Sequence, residues 1–326
     1  MSLPLGDFPA RAGFDDTSLH GSTQIPTPTL ASLAKEGVLL MNYYVMPVCT
    51  PTRSAIHTGR HPIHTGMQGG ALLGQQKLGL PVGIVTLPEQ LKKLGYMCYA
   101  AGKWHLGFYT REMLPTRRGY DRFFGFLTGK EDYFDHVDAE GKTVINGTTY
   151  ADMTTAPYVG LDLYDNEEPA RNYTGIYNTE LFTQKALAML HDHHASQPAS
   201  RPWFLYLAFN AVHSANYEQP LQAPARYIQP FLKTIVCDGL AGARLQQCKD
   251  RRVFAGMLSA VDEGVRNLTH ALAAVGQLES SLLIVTTDKC AVSLPSVFRL
   301  PFRCHPSQPT NGGKEEGRFC QLADRF

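Results

Sequence analysis

The chain has 326 residues, 44% hydrophobic and 18% charged, long enough to bury one large α/β core. Thirty basic residues against 29 acidic leave a net charge of +1, so no global field favours a nucleic acid or a membrane surface, and anion recognition must be local. No apolar run of about eighteen residues occurs, so no membrane span is expected, and the opening residues lack the basic and apolar regions of a signal peptide.

In chain order, residues 1–21 carry no periodic pattern. Thr27, Pro28 and Gly37 read as the cap, first turn and close of a short helix. The apolar run over 38–45 reads as a strand leading into Cys49-Thr50-Pro51-Thr52-Arg53-Ser54-Ala55-Ile56-His57-Thr58-Gly59-Arg60. Pro51 marks a helix start, so Cys49 is expected at a strand-to-helix junction, where backbone N–H groups point at bound anions. Thr86-Leu87-Pro88-Glu89 has capping-box form and opens a helix that ends by Gly95. A strand over 96–101 then delivers Gly102-Lys103-Trp104-His105-Leu106-Gly107.

Residues 130–175 are polar and rich in turn formers, and read as loops. A helix over 179–190 precedes the buried strand Trp203-Phe204-Leu205-Tyr206-Leu207-Ala208-Phe209, which ends at Asn210-Ala211-Val212-His213. Phe254, Met257, Leu258, Val261, Val265, Leu268, Leu272 and Val275 recur at helical spacing. Leu282-Leu283-Ile284-Val285-Thr286-Thr287 reads as a further buried strand ending at Asp288.

Strands alternating with helices, with continuous apolar runs, predict an α/β fold with a mostly parallel sheet covered by helices on both faces. Ligands of such sheets bind beyond the carboxyl ends of the strands. Cys49, Lys103, His105, His213 and Asp288 all follow strand-like runs, so they are expected to converge on one cleft. Singly, Cys49, Lys103, His105, His213 and Arg53 each have an ordinary reading: a buried thiol, a solvated strand end, a ring packed on Trp104, a loop histidine and a salt-bridged helix residue. Together they favour chemistry.

Asn146, Asn172 and Asn267 each begin an N-glycosylation triplet. Of seven cysteines, Cys237 and Cys248 bracket a polar, glycine-containing loop and could pair in an oxidising compartment; the alternative is seven reduced thiols. No Cys-x-x-Cys pair of zinc-site spacing occurs.

Cys49-Thr50-Pro51-Thr52-Arg53 with Thr58-Gly59-Arg60 resembles the signature of the type I sulfatases. Gly102 to Gly107, Leu114-Pro115-Thr116-Arg117-Arg118-Gly119-Tyr120-Asp121, Phe124-Gly125-Phe126, Glu131-Asp132-Tyr133 and Phe204 to Ala208 are similar, in the same order, to the arylsulfatase B (N-acetylgalactosamine-4-sulfatase) branch, from about Ser22 to Asp288. The resemblance implies an alkaline-phosphatase-like fold and hydrolysis of sulfate esters, of a glycan or an aryl sulfate. It implies that a formylglycine-generating enzyme converts Cys49 to formylglycine and that Arg53 supports that residue. His105 would help release sulfate, and Lys103 and His213 would contact it. It further implies a calcium ion, with Asp288 and the Cys49 position among the ligands, and a lysosomal or secreted location.

The departures matter equally. No apolar strand precedes His20-Gly21-Ser22, so the family's first strand is expected to be missing, leaving its neighbours with unpaired edges. Asp15 and Asp16 fall too late for the family's calcium pair and read as turn residues. The asparagine that should follow Asp288 is Lys289, a cation where the family has a calcium ligand. The predicted organisation is an atypical segment over 1–21, an incomplete catalytic domain over 22–290 and an irregular tail over 291–326, with low or lost activity. The alternative is an inactive sulfatase fold that binds sulfated glycans.

Overall fold

The computed structural model describes residues 3–8, 13, 16–140, 142–145, 148–151, 158–198, 200–216 and 219–289. In chain order the elements are β1 (Leu3–Phe8), α1 (Pro28–Glu36), α2 (Cys49–Thr58), α3 (Leu87–Lys93), β2 (Met97–Lys103), β3 (Arg122–Phe126), β4 (Val137–Glu140), β5 (Lys142–Ile145), β6 (Thr148–Ala151), β7 (Tyr158–Leu161), β8 (Tyr164–Asp165), β9 (Glu168–Pro169), α4 (Asn178–Ser196), β10 (Trp203–Ala208), α5 (Ala225–Ile228), α6 (Phe231–Thr234), α7 (Gly242–Ala274) and β11 (Ile284–Thr287). Seven strands form one sheet in the order β11-β1-β10-β2-β3-β8-β9. The first five run parallel, and β8 and β9 close one side antiparallel.

The apolar run of β10 is buried on both faces because successive side chains alternate between them. Trp203, Leu205 and Leu207 pack with Tyr99, Phe124, Phe126, Phe182, Met257, Leu258 and Val261, the side covered by α4 and α7. Phe204, Tyr206 and Ala208 pack with Leu91, Ala100, Trp104, Tyr120 and Phe123 on the other side. At about 1.5–3 kcal/mol for each large apolar side chain fully buried, these two layers hold the sheet. Among the described residues, no helix is long and apolar enough to cross a membrane.

Local signals placed most helices. Thr27 and Gly37 flank α1, and Thr86 with Glu89 forms the expected capping box on α3. The Thr27 side chain does not cap α1; Asp262 of α7 does so from across the chain, accepting from the N–H groups of Thr29 (3.1 Å) and Leu30 (2.9 Å).

Five expectations need correction. A first strand exists: β1 lies between β10 and β11, pairing Leu3 with Phe204 and Phe8 with Thr287. Leu3-Pro4-Leu5-Gly6-Asp7-Phe8 hides this role, since Pro and Gly are poor strand formers and Pro4 brings no N–H to the ladder. No strand forms over 38–45, where only Val45, which is buried, makes a bridge and Val38 is 84% exposed. Residues 130–175 are not all loop, because β4 pairs with β7, β5 with β6, and β8 with β3 and β9. Strand β11 is a half-exposed edge rather than a buried strand, with Ile284 41% exposed, since β1 alone pairs with it among the described residues. Finally, α7 begins well before Phe254, and Cys248 lies inside it, bonded to Cys237, so the pairing reading holds and the loop reading does not. Asp16 does sit in a turn, bonded to Gly13, and pairs with Arg251 at 2.6 Å; Asp15 lies outside the described residues.

Candidate active site

The helix α2 begins at Cys49 itself, with Val48 in extended conformation as its cap. Cys49 is 1% exposed and sits in the first turn, where free N–H groups and the helix dipole favour negative charge. Thr50 ties this turn to its surroundings: its hydroxyl donates to the His105 carbonyl (3.3 Å) and accepts from the Leu72 N–H (3.1 Å).

Parallel strands deliver the remaining groups. Lys103 is the last residue of β2, His105 follows it, His213 follows β10 and Asp288 follows β11; all four are buried. Four of the five residues thus come from strand ends as expected, while Cys49 reaches the cleft from a helix N-terminus fed by an exposed segment. His105 adopts φ +59°, a left-handed conformation that costs a non-glycine residue about 1–3 kcal/mol. It is held there by its N–H to the Leu127 carbonyl (3.2 Å) and by ring contact with Gly129, where a Cβ would come within 2.8 Å of the imidazole.

Arg53 is completely buried and organises the cluster. Its guanidinium donates twice to Asp288 Oδ2 (3.1 and 3.0 Å), once to the Lys103 carbonyl (2.8 Å) and once to the Tyr206 hydroxyl (3.1 Å). Lys103 Nζ reaches the same carboxylate oxygen at 3.5 Å. Burial opposes the charge on Asp288, but Lys103, Arg53 and Lys289 overcome it and hold the carboxyl well below the usual range.

Lys289 is the group whose place the sequence did not reveal. Its ammonium lies 3.7 Å from Cys49 Sγ and donates to His213 Nε2 at 3.2 Å. His213 Nδ1 donates to the Ser214 carbonyl (2.9 Å), which leaves Nε2 as an acceptor and the ring neutral. Burial alone would raise the Cys49 thiol, yet the positive fields of His105, Lys103 and Lys289 bring it well below its ordinary value. A low-pKa thiol beside cations and a helix N-terminus is a reactive one.

These donors do not fit calcium. One carboxylate oxygen, Asp288 Oδ1, is buried without a hydrogen-bond partner and is suited to a metal, but Oδ2 is already bound by Arg53 and Lys103. Among the described residues, no three His, Cys, Asp or Glu side chains group to hold an ion, and the chain leaving β1 reads Pro9-Ala10-Arg11-Ala12, without a carboxylate. Unit charges about 4 Å apart repel by about 4 kcal/mol at an effective dielectric of 20, and a divalent ion beside the Lys289 ammonium would meet about twice that.

His57, on the same helix, is structural. Its Nδ1 donates to the Arg53 carbonyl (2.9 Å), Nε2 accepts from the Tyr120 hydroxyl (3.0 Å), and Trp104 and Tyr206 stack edge-on against it. Burial, with Arg53 and Arg118 nearby, pushes its pKa down to about 3. The unfolded chain therefore binds this proton near pH 6.5 and the folded chain does not, so the stability due to His57 is complete above about 6.5 and lost as pH falls. The penalty of His57→Gln in urea denaturation is expected to shrink by about 2 kcal/mol from pH 7 to pH 5. A penalty independent of pH would contradict this.

The glycosylation candidates fall apart from this cluster. Asn172 is exposed in the turn after β9, Asn267 lies half-buried within α7, and Asn146 lies outside the described residues.

A family model described as Sulfatase matches residues 10–316, beyond both limits of the motif resemblance. Arylsulfatase J of Mus musculus is 41% identical over 277 residues, covering 85% of this chain and 40% of its own length. N-acetylgalactosamine-6-sulfatase of Mus musculus is 29% identical over 317 residues, covering 93% of this chain and 54% of its own. The chain thus spans about half the length of these curated relatives. A solved structure named Ps i-CgsB superimposes with a TM-score of 0.69 at 28% identity, over 88% of this chain and 58% of that one.

Proposed function

The chain belongs to the sulfatase family, and from that membership we propose that its buried cluster is a sulfate-ester site. The observation that carries the reading is the convergence of Cys49, Lys103, His105 and His213 around one helix N-terminus, with Arg53 and Asp288 behind them. A formylglycine at position 49 would supply, once hydrated, a hydroxyl nucleophile for the sulfur of the ester. The position fits that group: it opens the helix of a Cys-x-Pro-x-Arg stretch and is lined by cations. Lys103 would hold the sulfate oxygens, and His213, whose Nε2 accepts from Lys289, would reach them through that ammonium. The His105 Nε2–H is committed to the Leu72 carbonyl (2.8 Å), so Nδ1 is the nitrogen that takes or returns a proton. Arg53 touches no substrate; it positions Asp288 and the end of β2.

Hydrolysis would split the S–O bond, leaving an alcohol or phenol and sulfate with one water consumed. The substrate class is a sulfated glycan or an aryl sulfate, in keeping with relatives named as N-acetylgalactosamine-6-sulfatase and with Ps i-CgsB, which has been solved with k-i-k-neocarrahexaose. A lysosomal or secreted location is part of the same reading, and the Cys237–Cys248 disulfide agrees with an oxidising compartment. Turnover by this chain is expected to be low or absent, because the calcium donor set does not fit.

The test is the mass of the peptide spanning Cys49 after secretory expression, followed by assay on an aryl sulfate with and without calcium. Formylglycine with little turnover is the expected result. Formylglycine with calcium-dependent turnover would overturn the expected loss of activity, and an unmodified thiol would overturn the nucleophile assignment. A second reading, binding of sulfated glycans without turnover, draws on the Lys289 ammonium set against Cys49. It predicts salt-sensitive retention on a sulfated-glycan column that survives Cys49→Ser and is lost in Lys103→Ala.

A further inference from the structure

We propose that the Lys289 ammonium is a built-in replacement for the divalent cation of this site, so that the pocket takes a tetrahedral oxyanion, sulfate or phosphate, without any metal. The inference rests on the sulfate-site reading and adds to it the source of the positive charge. Three observations carry it. Lys289 Nζ stands 3.7 Å from Cys49 Sγ and 3.2 Å from His213 Nε2, between the proposed nucleophile and a proposed sulfate contact. Lys289 is only 6% exposed, so its charge acts in a poorly screened setting and is not a solvated surface charge. The charge count also fits: among the described residues Arg53, Lys103 and Lys289 face one carboxylate, Asp288, which leaves an excess of two positive charges. A bound dianion would complete the neutralisation, whereas a divalent cation would add charge to an excess of the same sign.

The chemistry differs from that of a metal site in one testable respect. An ammonium binds oxyanions as a point charge with three donors and is indifferent to chelators. A metal-bound oxyanion is lost when the ion is removed.

The experiment is calorimetric titration of the folded chain with inorganic sulfate and with inorganic phosphate, in excess EDTA and in millimolar calcium, for the wild type and for Lys289→Asn and Lys289→Arg. The proposal expects equal wild-type affinity in EDTA and in calcium, at least tenfold weaker binding in EDTA for Lys289→Asn, and retention of binding by Lys289→Arg. Wild-type binding that requires calcium would overturn it while leaving the sulfate-site reading standing. Absence of oxyanion binding in both media would overturn both. The wild-type comparison needs no variant to fold, and thermal melting of the variants separates lost binding from lost structure.

Discussion

Arg53→Ala is expected to destabilise the fold by about 3–5 kcal/mol, a loss read as a lower urea midpoint at constant slope. The guanidinium is completely buried and gives four hydrogen bonds, two of them to Asp288. Removing it leaves a buried carboxylate with Lys103 at 3.5 Å beside it, strips the Lys103 carbonyl and Tyr206 hydroxyl of that donor, and opens a cavity under α2. Arg53→Lys should recover only part of the loss, since a lysine cannot span Asp288, a carbonyl and a hydroxyl with a rigid fork. The arginine would be a bystander if Arg53→Ala fell within about 1 kcal/mol of the wild type.

Gly102→Ala is expected to be at least as severe, above about 4 kcal/mol, with most of the protein recovered insoluble. Gly102 has φ +97°, a conformation that an L side chain resists, and a Cβ there would lie 1.9 Å from the Ala208 carbonyl oxygen of the neighbouring strand. The approach is close on the other side too, where a Cβ on Gly125 would meet the Gly102 carbonyl oxygen at 1.9 Å. Neither backbone can retreat without breaking the register of β10, β2 and β3, which sets the position of Lys103 one residue later. Gly83→Ala is the matched control, because Gly83 is exposed and its Cβ would meet nothing within 4 Å. Equal soluble yield and melting temperature for Gly102→Ala and Gly83→Ala would show that the sheet can widen at this point.

Both residues lie in motifs that were legible in the sequence, yet their structural weight was not. The stretch from Cys49 to Arg60 announced a helix start, and the runs ending at Lys103, His213 and Asp288 announced strands whose ends converge. Such signals survive in sequence because periodicity, caps and apolar runs are local properties. What Arg53 does was not local: its partners are 50, 153 and 235 residues away.

The sequence by itself determined the α/β class, the capping box on α3, the helices α1, α2 and α4, the strands β2 and β10, and the identity of the buried cations. Tertiary structure alone decided three things. Leu3–Phe8 became a central strand although its Pro and Gly argue otherwise, because pairing with β10 and β11 satisfies backbone groups that neither neighbour could satisfy alone. The apolar residues 38–45 stayed outside the sheet, since apolar composition gives a strand only where a neighbouring strand supplies its hydrogen bonds. Lys289 reads in sequence as a lost ligand, and only the register of β11 beside β1 places its ammonium against Cys49 and His213. The physical reason is common to all three: hydrogen-bond partners and charges that meet across the sheet are set by which strands become neighbours, and strand neighbours are chosen by the whole chain rather than by any window of it.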